Sequence, residues 1–310
     1  MGELPVRPPP NRVRWRRSAI TPMPNTPDIH QQVTVYTPES RIRRPHELVG
    51  SMVRDLAAGR DLAWRLAVRD ISAQYRQTLL GIAWAFIIPL ATTLTWMFLN
   101  GSGVVAVGET DIPYPVYVFT GTMLWSILTD ALKAPILQCN QAKSMLSKLN
   151  FSKEALIVAA IYKTLFNGGI KVLLMLIGVL ALGVMPGWNI LLFPLGLFAL
   201  VLAGTAIGLF LTPIALLYQD ISKAIPLGMQ FLMYLTPVVY PMPEEGFAAE
   251  VLVYNPFTAL LTTARDWLTG VTPDLMVKFA VMNAVMILVL LIGWVIYRAA
   301  MPILIERMNA

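Results

Sequence analysis

Ile190–Tyr218 reads ILLFPLGLFALVLAGTAIGLFLTPIALLY, 29 residues without a charged side chain. About 20 apolar residues cross a hydrocarbon core about 30 Å thick, so this stretch reads as a membrane span. Working outward, five more stretches qualify: Leu79–Asn100, Tyr114–Gln138, Ala155–Val184, Ala224–Tyr240 and Val277–Arg298. The expected fold is an all-α integral membrane protein of six transmembrane helices. The chain is 56% hydrophobic and 14% charged, with mean hydropathy +0.62. A soluble domain carries about a quarter of its residues charged.

The net charge of +6 is unevenly spread. Thirteen of the 24 Lys and Arg residues precede Leu79, all arginines. Lys143, Lys148 and Lys153 follow span two, Lys223 follows span four, and Arg307 lies at the C-terminus. The 101–113 and 185–189 loops carry none, and 241–276 carries only Arg265. This is the positive-inside asymmetry, which predicts cytoplasmic N- and C-termini and makes nucleic-acid binding the weaker reading of the charge. The first 45 residues lack an apolar core of the signal-peptide kind and hold nine prolines, so span one is expected to direct insertion.

Residues 1–45 read as a disordered cytoplasmic tail, whose cluster Arg12, Arg14, Arg16 and Arg17 reads as a solvated stretch rather than a lipid contact. Residues 46–76 read as an amphipathic interface helix: Leu48, Val49, Met52, Val53 and Leu56 keep helical spacing, which Leu62, Leu66 and Ala67 resume after Gly59. The six-span domain covers 77–300 and the cytoplasmic C-terminus 301–310. In span four, Gly204 and Gly208 form a small-residue pair that fits a contact within the chain or a dimer contact equally well.

Span five ends in Thr236-Pro237-Val238-Val239-Tyr240-Pro241-Met242-Pro243, which cannot continue a regular helix. Beyond it, Phe247–Tyr254 and Phe257–Leu268 are too short to span and are expected to form a re-entrant hairpin over 242–270, with Asn255 as N-cap and Pro256 as first helical residue.

The chain carries no phosphate-loop, nucleophile-elbow or zinc-protease motif. Cys139 is the only cysteine, and His30 and His46 both precede span one, so no Cys or His metal site is expected in the membrane. No cofactor is expected, and the chain reads as a conduit rather than an enzyme. Ions inside spans pair or face a polar path. The antiparallel spans two and three place Asp130 and Lys163 at similar depth, predicting a salt bridge, while Lys133 snorkels to the interface. Lys163, Asn167 and Lys171 form a polar stripe able to face a conduit. Tyr114 and Tyr117 fit an interfacial belt. The deeper Trp84 and Trp125 fit either core packing or a surface on which sugar rings stack.

Four stretches carry a resemblance. They are Arg69-Asp70-Ile71 … Tyr75-Arg76-Gln77-Thr78-Leu79-Leu80-Gly81 … Trp84 … Pro89, then Asn140 … Lys148-Leu149-Asn150-Phe151-Ser152-Lys153-Glu154, then Tyr218-Gln219-Asp220-Ile221, and Leu235-Thr236-Pro237 … Tyr240-Pro241 … Asn255-Pro256. In this order, over residues 46–300, the chain resembles the permease subunits of ABC exporters for O-antigen, capsule and teichoic-acid polysaccharides. Ser152 stands where that family often has a proline.

The resemblance implies export of a lipid-linked polysaccharide across the bacterial cytoplasmic (inner) membrane. It further implies a homodimer joined to two cytoplasmic ATPase subunits that hold the ATP and Mg²⁺. A coupling helix over 141–154 would dock on the ATPase, with Lys143, Lys148, Phe151, Lys153, Glu154, Arg69 and Asp70 as its contacts. Trp84, Trp96, Trp125, Lys171 and Tyr240 would line the conduit, and Pro237, Pro241, Asn255 and Pro256 would shape the outer gate. The alternatives are an export permease for a small amphiphile or drug, and a membrane-embedded glycosyl or acyl transferase.

Overall fold

The computed structural model describes residues 45–76, 81–105, 108–146, 148, 151–243 and 245–309. The expected disordered tail and the arginine cluster within it lie outside the described residues up to Arg44, as does the start of span one at Leu79. Every described element is helical: α1 (Pro45–Ala58), α2 (Arg60–Arg76), α3 (Trp84–Gly101), α4 (Tyr114–Gln141), α5 (Lys143–Leu146), α6 (Glu154–Ala181), α7 (Phe193–Leu217), α8 (Gln219–Tyr234), α9 (Phe247–Tyr254), α10 (Pro256–Thr269) and α11 (Met276–Asn309).

Among the described residues four segments are long and apolar enough to cross a membrane: Gly81–Gly101, Glu154–Ala181, Trp188–Leu217 and Met276–Arg307. They correspond to expected spans one, three, four and six. The helix at the expected second span, α4, has 28 residues, but Asp130, Lys133 and its threonines make it more polar. The fifth stretch shifts. Its helix starts at Gln219 and stops at Tyr234, six residues short of the expected end at Tyr240. Pro237 disfavours helical backbone at Thr236, and the Thr236 hydroxyl closes the helix by donating to the Leu232 carbonyl at 2.7 Å. At 16 residues α8 is about 24 Å long.

The amphipathic stretch folds as two helices that meet at Gly59. A Cβ there would lie 3.0 Å from the Ala155 Cβ, so the break falls where the start of α6 packs. Ala63, Leu66 and Ala67 of α2 are buried in an inner core with Cys139, Leu156, Tyr297 and Met301. A larger core above it gathers Phe119, Trp125, Leu200, Val238, Leu260 and Trp267. Several threonines inside these helices bond back to their own backbone, as Thr93 does to Pro89 (2.8 Å) and Thr212 to Gly208 (2.7 Å), and their hydroxyls therefore need no water. The buried hydroxyls of Thr129, Thr258 and Thr263 make no such bond.

Helix α7 occupies the centre, packed on α4, α10 and α11. The two-sided reading of its glycine pair resolves here. A Cβ on Gly204 would sit 2.5 Å from the Leu128 carbonyl oxygen, and one on Gly208 would sit 2.1 Å from that of Leu132. Both glycines admit the α4 backbone of the same chain, so the pair is an intrachain contact. Gly208→Ala should therefore force α4 and α7 apart at a cost of about 1–3 kcal/mol, read as a lowered melting temperature in detergent. Gly228→Ala, where a Cβ meets nothing within 4 Å, should leave it unchanged or raise it.

Candidate functional site

A polar cavity of about 470 Å³ lies between α2, α3, α4, α6 and α8, lined by Tyr75, Trp84, Trp125, Asp130, Asn167 and Lys171 among others. The Lys171 side chain is 8% exposed, and its Nζ donates to Asp130 Oδ2 at 2.7 Å and to the Ser126 hydroxyl. The expected partner of Asp130 was Lys163. Side chains on a helix lean toward its N-terminus. On antiparallel α4 and α6, Asp130 therefore leans outward and Lys171 inward, so the two converge. Lys163 leans away from Asp130 and lines an adjoining crevice. Asn167 Oδ1 accepts from the Tyr75 hydroxyl at 2.9 Å, which closes the cavity floor against α2.

The proposed conduit aromatics separate. Trp84 is half exposed and Trp125 buried, and both line the cavity; Trp125 also meets Phe257 edge to face at 5.9 Å. Trp96 packs on the upper core and Tyr240 lies in the outer bend, neither lining this cavity.

The bend after α8 is held by a residue whose role the sequence did not disclose. Arg265, 3% exposed, donates from Nη2 to the Tyr117 hydroxyl (2.7 Å) and from Nη1 to the Pro237 carbonyl (3.1 Å), while its guanidinium lies 3.6 Å from the Tyr117 ring centre. Tyr117 donates to the Tyr240 carbonyl at 3.0 Å and Tyr114 to that of Val239 at 3.0 Å. The proline-rich bend has no helical partner for these carbonyls, and burial without one is costly. Three side chains from α4 and α10 supply what the helix cannot. The expected cap is present: Asn255 Oδ1 accepts from Phe257 N (2.9 Å) with Pro256 at the first turn, and Asn255 Nδ2 reaches the Leu235 carbonyl at 2.6 Å. Pro237 is buried and Pro241 half-buried beside them. The one signal in the sequence was Arg265 itself, a lone cation in an outer segment otherwise free of them.

On the inner side, Arg298 bridges two carboxylates. Its Nη2 meets Asp55 Oδ2 and its Nη1 meets Glu154 Oε1, both at 2.6 Å. Ser152 donates to the Asp55 carbonyl at 3.0 Å, and Tyr297 donates to that of Lys153 at 3.0 Å. This clasp joins α1, the loop before α6, and α11. Of the residues expected to couple to a partner, Lys148 is exposed, Lys143, Phe151 and Lys153 are half-buried, and Glu154 is buried at 4%. Among the described residues of the expected 141–154 coupling helix, Gln141 ends α4, Lys143–Leu146 form the short α5 and Glu154 begins α6, so no continuous helix covers the stretch; 147, 149 and 150 lie outside the described residues. Asp70 takes Arg69 at 2.8 Å and Gln138 Nε2 at 2.8 Å, fastening α2 to α4.

The family model for ABC-2 type transporters matches residues 61–269. An O-antigen export system permease protein of Myxococcus xanthus is 26% identical over 216 residues, covering 68% of this chain and 82% of that protein. Two proteins of the same description from Klebsiella pneumoniae are 20% and 19% identical over 213 residues each, 66% of this chain and 79% of theirs.

Arg298→Ala leaves the buried Glu154 carboxylate without its partner, at a cost of about 3 kcal/mol. A lowered melting temperature is expected, partly restored by adding Glu154→Gln; no effect of the single change would show that the clasp holds nothing. Burial, opposed by Arg265 and reinforced by Asp111 and Asp274, pushes the Asp266 carboxyl up to about 7. Folded Asp266 thus binds its proton more tightly than unfolded Asp266. Its contribution to stability should fall as pH rises from about 4 to about 7, and Asp266→Asn should remove that part of the slope in a pH series of melting temperatures.

Proposed function

This chain belongs to the ABC-2 type transporter family, and we propose that it is the membrane-spanning subunit of an exporter of a lipid-linked, O-antigen-like polysaccharide. The observation that carries this reading is the extent of the family match. Residues 61–269 run from α2 to the end of α10, so the match takes in the polar cavity and outer latch and reaches the inner clasp. The curated relatives it matches over about two thirds of its length are O-antigen export permeases.

In this reading six elements cross the bacterial cytoplasmic membrane: α3, α4, α6, α7, α8 and α11. Helix α4 crosses in spite of its charges because Asp130 and Lys171 neutralise each other inside the protein, which removes most of the cost of depth. Helix α8 crosses together with the bend that follows it. The basic segments lie on the cytoplasmic side with both termini, and α9 and α10 form a re-entrant hairpin on the outer side. Trp84, half exposed at the cavity edge, offers a face on which a sugar ring stacks.

Two copies of this chain would enclose the path, each associated with a cytoplasmic ATPase subunit that hydrolyses ATP. The stretch 143–154 receives the ATP-driven displacement. Through Arg298 the clasp passes it to α1 and α11 as one body, and through α6 and α4 it reaches the Arg265–Tyr117 latch, whose release opens the outer end. The chain itself binds and guides; its ion pairs hold geometry and move no proton in a reaction.

Co-purification with the ATPase encoded beside it, followed by ATP hydrolysis with lipid-linked glycan added, tests this. A Lys148→Glu, Lys153→Glu double variant should lose most of the co-purified ATPase and of the glycan-stimulated rate, since two cations facing a partner become anions. Unchanged assembly and stimulation would remove this stretch as the contact.

A further inference from the structure

Residues 172–219 run for 48 positions without a charged side chain, and they include the connection between α6 and α7. Within that connection, 182–192, Asn189 is the one amide, hydroxyl or charged side chain. A loop that ends in water normally carries several such groups. This one turns apolar side chains outward instead: Trp188 is 90% exposed, Met185 82% and Leu191 74%.

The loop is not free to fold those side chains away. The chain leaves α6 through Gly183 at φ +81°, and Trp188–Leu192 form a short 3₁₀ turn that leads into α7. The Asn189 amide donates to the Val271 carbonyl at 3.3 Å. Gly187 lies against Gly270, the residue that closes α10, where a Cβ would come within 2.7 Å of the Gly187 nitrogen. The loop is thus braced on the end of α10, and its one polar side chain is spent on that brace.

Length and continuity identify what covers the outward side. Helix α6 has 28 residues and is about 42 Å long, close to the roughly 40–45 Å of a bilayer with its head-group layers. With Glu154 held in the inner clasp, the outer end of α6 comes level with the outer head groups. The exposed surface continues without a break into the exposed apolar side chains of Leu180 on α6 and Leu195 and Phe198 on α7. A tryptophan, apolar in body with one N–H, suits the boundary between acyl chains and head groups. A protein partner would find no outward hydrogen-bonding side chain here except the Trp188 N–H, whereas protein interfaces carry a polar rim.

We propose that the 183–192 loop is seated in the head-group layer of the outer leaflet, anchored by Trp188, and so holds the end of α10 at a fixed level. This rests on the reading that α6 and α7 cross the membrane and is independent of what the protein exports. Arg265 stands on α10 and holds the Pro237 carbonyl, so the anchor fixes the support of the proline-rich bend relative to the lipid.

Full-length protein carrying a nitrobenzoxadiazole dye at Met185→Cys is placed in nanodiscs of phosphatidylethanolamine and phosphatidylglycerol; Cys139 is buried and stays unlabelled. Lipid spin-labelled close to the head group should quench the dye more than lipid spin-labelled deep in the chain. Aqueous iodide should quench it about fivefold less than the same dye at Glu109→Cys, an exposed charged position. Equal iodide quenching at the two sites overturns the proposal, as does stronger quenching by the deep label. A dye shielded from iodide and quenched by neither lipid also overturns it, since a protein surface then covers the loop. Leu173→Cys, about 12 Å below the outer end of α6, separates two failures. Quenching there by the deep label keeps α6 in the membrane and refutes the anchor alone; no lipid quenching at either site refutes the membrane reading as well.

The hold on α10 is read separately, by amide exchange in the same nanodiscs. Trp188→Ser should cost the last turn of α10 its protection, and Trp188→Tyr, which keeps an interfacial aromatic ring, should retain it. Unchanged exchange in the serine variant overturns the positioning role.

Discussion

Arg265 on the Pro237 carbonyl is the interaction on which the outer half of this protein depends. Inside a bilayer or a packed helical core, a backbone carbonyl without a partner is costly. The run from Thr236 to Pro243 breaks the helix and leaves several carbonyls in that condition. Arg265, Tyr117 and Tyr114 answer for Pro237, Tyr240 and Val239, and Asn255 answers for Leu235. Because these donors stand on α4, α10 and the turn between α9 and α10, the bend fixes three elements at once.

The inner half obeys the same constraint with charges in place of carbonyls. Arg298 on α11 neutralises Asp55 of α1 and the buried Glu154 of α6 together, and Lys171, farther along α6, neutralises Asp130 of α4. Each pair crosses between elements distant in sequence, so satisfying a charge and setting a helix position are one event. Between the clasp and the latch lies the polar cavity, with α4 passing along its whole height. Helix α7 is locked against α4 by the close approach at Gly204 and Gly208.

Much of this was legible in the sequence. Hydropathy disclosed the apolar helices, and Asn255-Pro256 disclosed the start of α10, because caps and prolines act locally. The end of α8 was placed six residues late because apolar composition continues past Tyr234 while helix geometry does not. Asp130 was paired with the wrong lysine because depth along a helix was counted without the lean of the side chains. The roles of Arg265, Arg298 and Tyr117 each depend on a contact more than 100 residues away in the chain, which no local pattern reveals. Glu154, read as a contact for a partner, is instead held inward by Arg298.

The central claim is that this chain carries a lipid-linked polysaccharide out of the cytoplasm, and the most direct measurement is the location of that glycan in its host. Cells lacking the chain should lose the surface polysaccharide and accumulate its lipid-linked form on the cytoplasmic leaflet, with export restored by the intact chain. Surface polysaccharide unchanged by the deletion, with no lipid-linked material accumulating inside, would contradict the account.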